Sequence, residues 1–198
     1  GLFNAGGISF MIVGIMFSKG LADKYGKRNV FGIFLFISTL FILAFYLIPS
    51  TSVGLMFLSQ IFHGFFYGIT IPLLWAMIAD VADFSEWKTG RRATAMIFAA
   101  AALSQKLGGA MAGAMMGWLL GSLGYVANQA QSQSSESGIV LLMTLIPGAF
   151  AIFAVLCVKF YSLDNQTLTK VQSELAAKKA AENNVENVES SVQGGING

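Results

Sequence analysis

The chain has 198 residues, of which 55% are hydrophobic and 11% charged, with a net charge of +2. A typical soluble domain is about 25% charged, so this composition excludes an ordinary soluble globular protein. The net charge says little by itself, and we expect no nucleic-acid partner. A single cysteine, Cys157, excludes a disulfide framework.

Five apolar stretches are long enough, or nearly so, to cross a hydrocarbon core of about 30 Å, which takes about 20 helical residues. They cover residues 2–17, 30–48, 53–79, 93–121 and 139–158. Because a backbone in lipid must satisfy its own hydrogen bonds, these spans are predicted to be helices. The predicted fold class is an all-α membrane protein, with a transmembrane bundle over residues 1–161 and a tail over 162–198.

The basic residues predict the orientation of the bundle. Every Lys and Arg except Lys106 falls between spans one and two, between spans three and four, or after span five. The positive-inside rule makes that side cytoplasmic. We therefore expect a multi-pass protein of the cell membrane, surrounded by lipid, with Gly1 outside and the tail in the cytoplasm.

An odd number of spans suggests that further spans precede the first one. The chain begins with Gly1, and the first span has neither the basic n-region nor the small-residue cleavage site of a signal peptide. We interpret the chain as a C-terminal fragment, whose partner is the missing N-terminal half of the same polypeptide.

The loop after span one reads S-K-G-L-A-D-K-Y-G-K-R-N, residues 18–29. One interpretation is a basic anchor at the anionic leaflet of the membrane. The other is more specific. The pattern G-x-L-A-D-x-x-G-K-R resembles the short cytoplasmic loop between the second and third helices of each half of major-facilitator transporters.

Span three carries a line of polar side chains on one helix face, because Gln60, His63, Tyr67 and Thr70 recur at intervals of three and four. His63 is either satisfied by a neighbouring helix or lines, with Tyr67, a wet substrate cavity. Trp75 lies further along the same span. It is either an interface anchor or a platform on which a sugar ring stacks.

A charged block follows span three. Asp80, Asp83 and Glu86 have a carboxylate spacing that suits Mg²⁺, but Glu86 falls off the face shared by the other two. Basic residues to neutralise them follow directly: Lys88, Arg91 and Arg92. We therefore predict no metal site, and expect a cytoplasmic ion-pair cluster that links helix ends.

Span four contains Lys106, the only charge between residues 93 and 121. A bare ammonium in hydrocarbon costs roughly 2.5–3.5 kcal/mol on insertion scales, so such residues usually face a polar interior. Snorkelling to an interface is the alternative, although Lys106 is central in its span. The position predicts a functional lysine inside a bundle.

Glycines predict close helix packing in two places. Gly64 and Gly68 lie beside the polar line of span three and allow a neighbouring helix to approach. Span four carries a stripe at intervals of four: Gly109, Gly113, Gly117 and Gly121. We expect Lys106 to point toward this stripe and the packed face.

The tail changes abruptly in composition. Leu168, Val171 and Leu175 predict a short amphipathic helix near the membrane surface. From Glu182 onward the chain is polar and rich in Gly and Asn, which predicts disorder.

Together these motifs resemble the glycoside–pentoside–hexuronide:cation symporters, the melibiose-permease relatives. The resemblance rests on Pro72-x-x-Trp75, on A-D-x-x-D-F-x-E-x-K-T-G-x-R, on a lysine in the next helix, on Gly124-Tyr125 and on F-Y-x-L…T-L-x-x-V-Q-x-x-L over residues 160–175. It covers about residues 18–175. It implies a major-facilitator fold of twelve helices, in which this chain supplies helices eight to twelve of the C-terminal half.

The resemblance also implies roles for particular residues. Lys106 matches the family's lysine near the sugar and coupling-cation sites. The charged block, with Asp80, Asp83, Glu86 and Arg92, matches a cytoplasmic cluster that couples the two halves. The acidic residues that bind the coupling ion, Na⁺ or H⁺, belong to the N-terminal half, and no other cofactor is implied.

We therefore predict part of a secondary active transporter that carries a sugar or glycoside with a cation by alternating access. His63, Tyr67, Trp75 and Lys106 are the candidate substrate and cation residues. The alternatives are another major-facilitator transporter for drugs or peptides, a membrane-embedded prenyl- or glycosyltransferase, and a sensor or assembly subunit. A transferase would need a second acidic motif, and a sensor would leave Lys106 without a role.

Overall fold

The computed structural model describes residues 1–49, 51–91, 93–126, 129 and 132–196, with side chains described up to residue 184 except at 134 and 182. This part of the chain is helical and contains no strand, which confirms the all-α class. The helices are α1 (Leu2–Tyr25), α2 (Lys27–Ala44), a 3-10 turn (Phe45–Leu47), α3 (Val53–Thr89), α4 (Thr94–Ser122), α5 (Gln133–Met143), α6 (Leu145–Val158) and α7 (Asn165–Ile196).

Five segments have the length and apolar composition to cross a membrane, as the hydropathy pattern predicts. They are Leu2–Tyr25, Lys27–Leu47, Val53–Thr89, Thr94–Ser122 and Ser135–Val158. The fifth is formed by α5 and α6 in succession, with a break at Thr144. Pro147 explains the break, because its ring clashes with the carbonyl four residues earlier and its nitrogen has no hydrogen to donate.

The predicted loop at 18–29 is almost entirely helical. Only Gly26 separates α1 from α2, with a φ of 85° that favours glycine. The prediction of a loop was wrong because Lys, Leu and Ala are good helix formers, so α1 continues beyond its apolar stretch into the charged segment.

Glycines bring α1 and α3 into backbone contact. A Cβ added to Gly64 would strike the carbonyl oxygen of Gly7, and one added to Gly68 would strike that of Met11. The relation is reciprocal, because a Cβ at Gly14 would strike the carbonyl oxygen of Phe65. The predicted role of Gly64 and Gly68 is confirmed, and the helix that approaches them is α1.

The core lies where α1, α2 and α3 meet. It is formed by Ala22, Val30, Phe31, Ile69, Leu73 and Met77, all buried. These side chains belong to the basic half of the bundle, next to the junction at Gly26. The core therefore holds the starts of α2 and the later turns of α3 in a fixed relation.

Helix α4 is almost uncovered by the rest of the chain, since none of its span is buried. Nothing lies within 4 Å of a Cβ added to Gly109, Gly113 or Gly117. The predicted packing of this stripe therefore does not form among the described residues.

The tail differs from its prediction. Helix α7 extends over Asn165–Ile196, so the structure shows helix where disorder was predicted, and Ala, Lys, Glu and Gln in its sequence favour helix. Leu168, Val171 and Leu175 are buried, and α7 contacts α3. The apolar face of the tail therefore packs on protein and not on the membrane surface.

Replacing Gly14 by Ala should destabilise the bundle, because the new methyl would meet the rigid backbone carbonyl of Phe65. Overpacking of this kind costs about 1–3 kcal/mol. The measurement is the midpoint of thermal unfolding of the purified intact protein in detergent.

The matched control is Gly20→Ala on the same helix, where nothing lies within 4 Å of the added Cβ. This variant should be neutral or slightly stabilising, since Ala is the better helix former by up to about 1 kcal/mol. Equal midpoints for the two variants would contradict the α1–α3 contact.

Candidate functional site

A buried ion pair joins α2 to α3 at the basic end of the bundle. The Lys27 ammonium Nζ lies 2.7 Å from both carboxylate oxygens of Asp80. The Asp80 side chain is only 4% exposed, and that of Lys27 is 31% exposed. The ammonium donates to a carboxylate that has little access to water, and such a charge-assisted contact constrains the two helices strongly.

Tyr161, which follows α6, completes this cluster from a third direction. Its hydroxyl donates to the carbonyl oxygen of Met77 on α3 at 3.4 Å. Burial, and to a smaller extent the negative charge of Asp80, raises the pKa of Tyr161 to about 12. The phenol therefore stays neutral at physiological pH and does not compete with Asp80 for the lysine.

Two further contacts hold the helix ends together beside this pair. The Arg28 guanidinium donates to the carbonyl oxygen of Lys159 at 2.6 Å, which links the start of α2 to the end of α6. The Asn165 side chain, at the start of α7, lies against Gly26. Three helix ends and the α1–α2 junction thus converge at one place.

The rest of the charged block does not form one cluster. Glu86 pairs with Lys179 of α7 at 3.4 Å, and the Trp87 indole donates to Glu174 of α7 at 2.6 Å. Asp83 makes no ion pair within the described ranges, and the same holds for Lys88 and Arg91. The predicted cluster member Arg92 lies outside the described residues.

The prediction that Lys88 and Arg91 neutralise the acidic residues was therefore wrong. Lys88 follows Asp80 by eight residues, about 12 Å along a helix at 1.5 Å per residue. It follows Glu86 by two, and such positions do not face each other. Asp80 and Glu86 are instead paired with lysines distant in sequence, on α2 and α7.

His63 is satisfied by a neighbouring helix, which was one of its two interpretations. Its Nδ1 lies 3.0 Å from the hydroxyl and 3.1 Å from the carbonyl oxygen of Ser38 on α2. Its ring stacks on that of Tyr67 at a centroid distance of 5.8 Å. The Tyr67 side chain is exposed, so the polar line of α3 presents Tyr67 outward with His63 fixed behind it.

Trp75 lies at the contact between α3 and α4. Its ring is parallel to that of Phe98 on α4, with centroids 6.2 Å apart, and the residue is 36% exposed. One face of the indole is thus occupied by Phe98. The exposed part of the residue can contact an apolar face of a ligand or lipid.

Lys106 is exposed on α4 and, among the residues that the structure describes, makes no hydrogen bond or ion pair. Its helix is likewise uncovered along its whole span, since none of that span is buried. The structure therefore does not bring Lys106 together with His63, Tyr67 and Trp75 into one enclosed pocket. What these residues share is that they lie on α3 and α4.

Sequence reasoning missed three residues that matter for this geometry: Lys27, Ser38 and Tyr161. Lys27 was assigned only to a basic loop, and its partner is 53 residues away. A usable signal existed for Lys27 and Asp80, because opposite charges at the same end of adjacent spans favour a pair. Tyr161 belongs to the F-Y-x-L motif of the resemblance, but that motif did not indicate its contact with Met77, and nothing in the sequence singled out Ser38.

Comparison with known proteins identifies the family. The model of the MFS/sugar transport protein family matches residues 1–165. The chain therefore belongs to this family of major-facilitator sugar transporters, and the resemblance to the glycoside–pentoside–hexuronide:cation symporters is confirmed. Its members are transporters and not enzymes, which rejects the transferase alternative and makes this a multi-pass membrane protein.

Individual relatives agree with the family. The chain is 31% identical to the inner membrane symporter YicJ of Escherichia coli over 85% of this chain and 37% of the relative. It is 27% identical to the glucuronide carrier protein homolog of the same organism, over 81% of this chain and 35% of the relative.

An uncharacterized 29.9 kDa protein of Pseudescherichia vulneris is 35% identical over 80% of this chain and 58% of the relative. The chain thus spans less than two thirds of the length of each of these relatives.

Removing one partner of the Lys27–Asp80 pair should destabilise the protein strongly. Loss of one partner of a fully buried pair costs about 3–5 kcal/mol. Lys27 keeps 31% exposure, so Asp80→Ala, which strands a lysine that can still reach water, should cost less than Lys27→Ala, which strands a buried carboxylate. The measurement is thermal unfolding of the purified protein.

The double variant Lys27→Ala/Asp80→Ala should recover part of the loss, because no unpaired charge remains. Tyr161→Phe is the matched control beside the pair and should change little, since its hydrogen bond is long. Additive losses in the double variant would show that the two side chains do not interact.

Proposed function

We propose that the protein carrying this chain is a cation-coupled sugar or glycoside symporter, and that α4 faces its transport path. The observation that supports this most is the uncovered α4 face, which carries Lys106 and the glycine stripe. An ammonium on a bare lipid-facing helix is costly, so this face requires a polar cavity or a second bundle. Because the family consists of transporters, we propose that the polar cavity facing α4 is the transport path.

The relatives supply a reason to expect a second bundle. Matches to YicJ and to the glucuronide carrier homolog cover 37% and 35% of those proteins, so each has much further sequence. We propose that this chain forms the C-terminal five helices of a twelve-helix transporter. The glycine stripe of α4, Gly109, Gly113 and Gly117, would then pack on the N-terminal half.

Lys106 is the proposed residue for sugar and coupling. An ammonium donates three hydrogen bonds, which suits sugar hydroxyls, and its charge can respond to occupancy of a cation site in the other half. Tyr67 and the exposed part of Trp75 would offer hydroxyl and stacking contacts to a sugar. His63, bonded to Ser38, would position Tyr67 through ring stacking.

The basic end has a different proposed role. The Lys27–Asp80 pair, with Arg28 bound to Lys159, would keep α2, α3 and α6 together as one rigid body while the bundle rocks. Asp83, Arg91 and Arg92 are the members of the charged block proposed to meet the opposite half in one conformational state. The coupling ion, Na⁺ or H⁺, would bind mainly in that other half.

Lys106→Ala in the intact protein should strongly lower coupled uptake without preventing insertion. Loss of a hydrogen bond to a charged group costs about 1.5–3 kcal/mol, which corresponds to at least about a tenfold lower uptake. The measurement is cation-driven sugar uptake in membrane vesicles, normalised to the amount of protein in the membrane.

Lys88→Ala is the matched control, because it removes the same charge from an exposed site on α3 and should transport normally. Lys106→Arg should restore little, since a guanidinium is planar and larger than an ammonium. Wild-type coupled uptake by Lys106→Ala would show that the lysine only snorkels and would remove it from the site.

The proposed orientation places α5 outside at its start and α7 in the cytoplasm, because the basic residues lie at one end. In a protein whose Cys157 is replaced by Ser, a cysteine at exposed Gln133 should react with an impermeant thiol reagent applied to intact cells. A cysteine at exposed Ser173 should react only after permeabilisation. The reverse labelling pattern would contradict the orientation.

A further inference from the structure

A groove runs between α2 and α6. Its cavity volume is about 490 Å³. The walls are apolar, with Ile33 and Phe36 from α2 and Ile152, Val155 and Leu156 from α6. The groove opens at the basic end of the bundle, where Arg28, Asn29 and Lys159 form its mouth.

A second, smaller groove also borders Ile33. It has a volume of about 330 Å³ and is lined by Leu21, Tyr25 and Phe34. The two grooves share Asn29 and Ile33. The two apolar grooves thus adjoin each other at Asn29 and Ile33, in the first turns of α2.

The mouth of the larger groove is positively charged. Arg28 and Lys159 are both in its lining, and no acidic residue is. The structure gives Arg28 one hydrogen bond to the carbonyl oxygen of Lys159, and a guanidinium has five N–H donors. Asn29 adds an exposed amide, and the first turn of α2 adds the positive end of a helix dipole.

We propose that these grooves bind one anionic glycerophospholipid, with its phosphodiester at Arg28 and Lys159 and its two acyl chains on either side of Ile33. Charge complementarity selects an anionic headgroup, since basic pockets between helices at the cytoplasmic side recognise such lipids. The paired apolar channels select a molecule with two chains and not a soluble phosphate. The bound lipid bridges α2 and α6 at the place where Arg28 already joins them.

This site is independent of transport chemistry. It uses the faces of α2 and α6, whereas Lys106 and Trp75 lie on α4 and α3. The lipid proposal would therefore remain valid if the symport proposal failed, and the symport proposal would remain valid if no lipid bound.

The test is native mass spectrometry of the intact protein, purified in detergent and mixed with equal amounts of phosphatidylglycerol and phosphatidylcholine. Wild type should retain one phosphatidylglycerol in preference to phosphatidylcholine. Lys159→Gln leaves the backbone carbonyl that Arg28 binds, so it should fold and lose about fivefold in preference, the change that about 1 kcal/mol per basic residue predicts. Lys88→Gln, an equal charge change outside the grooves, should retain the wild-type preference.

Gly32→Leu tests the apolar wall. A Cβ at Gly32 would lie 3.6 Å from Val158, which is ordinary contact, so the larger side chain can fill the groove, where Gly32 is part of the lining. Its thermal midpoint, measured in parallel, shows whether it folds. Folded Gly32→Leu should lose the retained lipid, and millimolar inorganic phosphate should not displace the lipid from wild type.

Three results would overturn the proposal. Equal retention of the two lipids by wild type would show that the grooves do not select an anionic headgroup. An equal loss in Lys88→Gln and Lys159→Gln would assign the preference to overall charge. Displacement by inorganic phosphate would make the headgroup alone the ligand.

Discussion

Backbone contact between α1 and α3 is the constraint on which the rest of this bundle depends. Gly14, Gly64 and Gly68 have no side chains to hold the two helices apart. Backbone atoms of one helix therefore pack directly on backbone atoms of the other. That contact fixes the later turns of α3 against the start of α2, with Ile69 and Leu73 buried between them. Asp80 then lies where Lys27 can reach it, and a pair with little access to water can form.

The helices themselves were predictable because lipid imposes a simple rule: about 20 apolar residues and a satisfied backbone. The family was predictable because several short motifs occur in one order. The partner of Asp80 was not predicted, since the nearest basic residues in sequence, Lys88 and Arg91, were chosen over Lys27. Proximity in sequence is a poor guide here, because residues eight apart on a helix are separated by about 12 Å along its axis, whereas the axes of packed helices are about 8–10 Å apart.

The candidate site was predictable only in part. Lys106 stood out by its cost in hydrocarbon, and Tyr67 by its helical spacing, but neither signal says what lies opposite. The structure adds that His63 is bound to Ser38 and that Trp75 is stacked on Phe98. The glycine stripe on α4 shows the limit of prediction from patterns. Small residues at intervals of four indicate a surface that permits close packing, but they do not indicate which helix packs there.

The connection between α1 and α2 at Gly26 is too short to absorb an insertion. With a single residue between two long helices, inserting one amino acid there adds about 100° of rotation and 1.5 Å of rise to whichever helix absorbs it. Lys27 and Arg28 would then turn away from Asp80 and from the end of α6 together. The spacing of this joint is thus fixed by two helices at once, and natural length variation in related chains should fall elsewhere, as in the connection between α4 and α5 or along the tail.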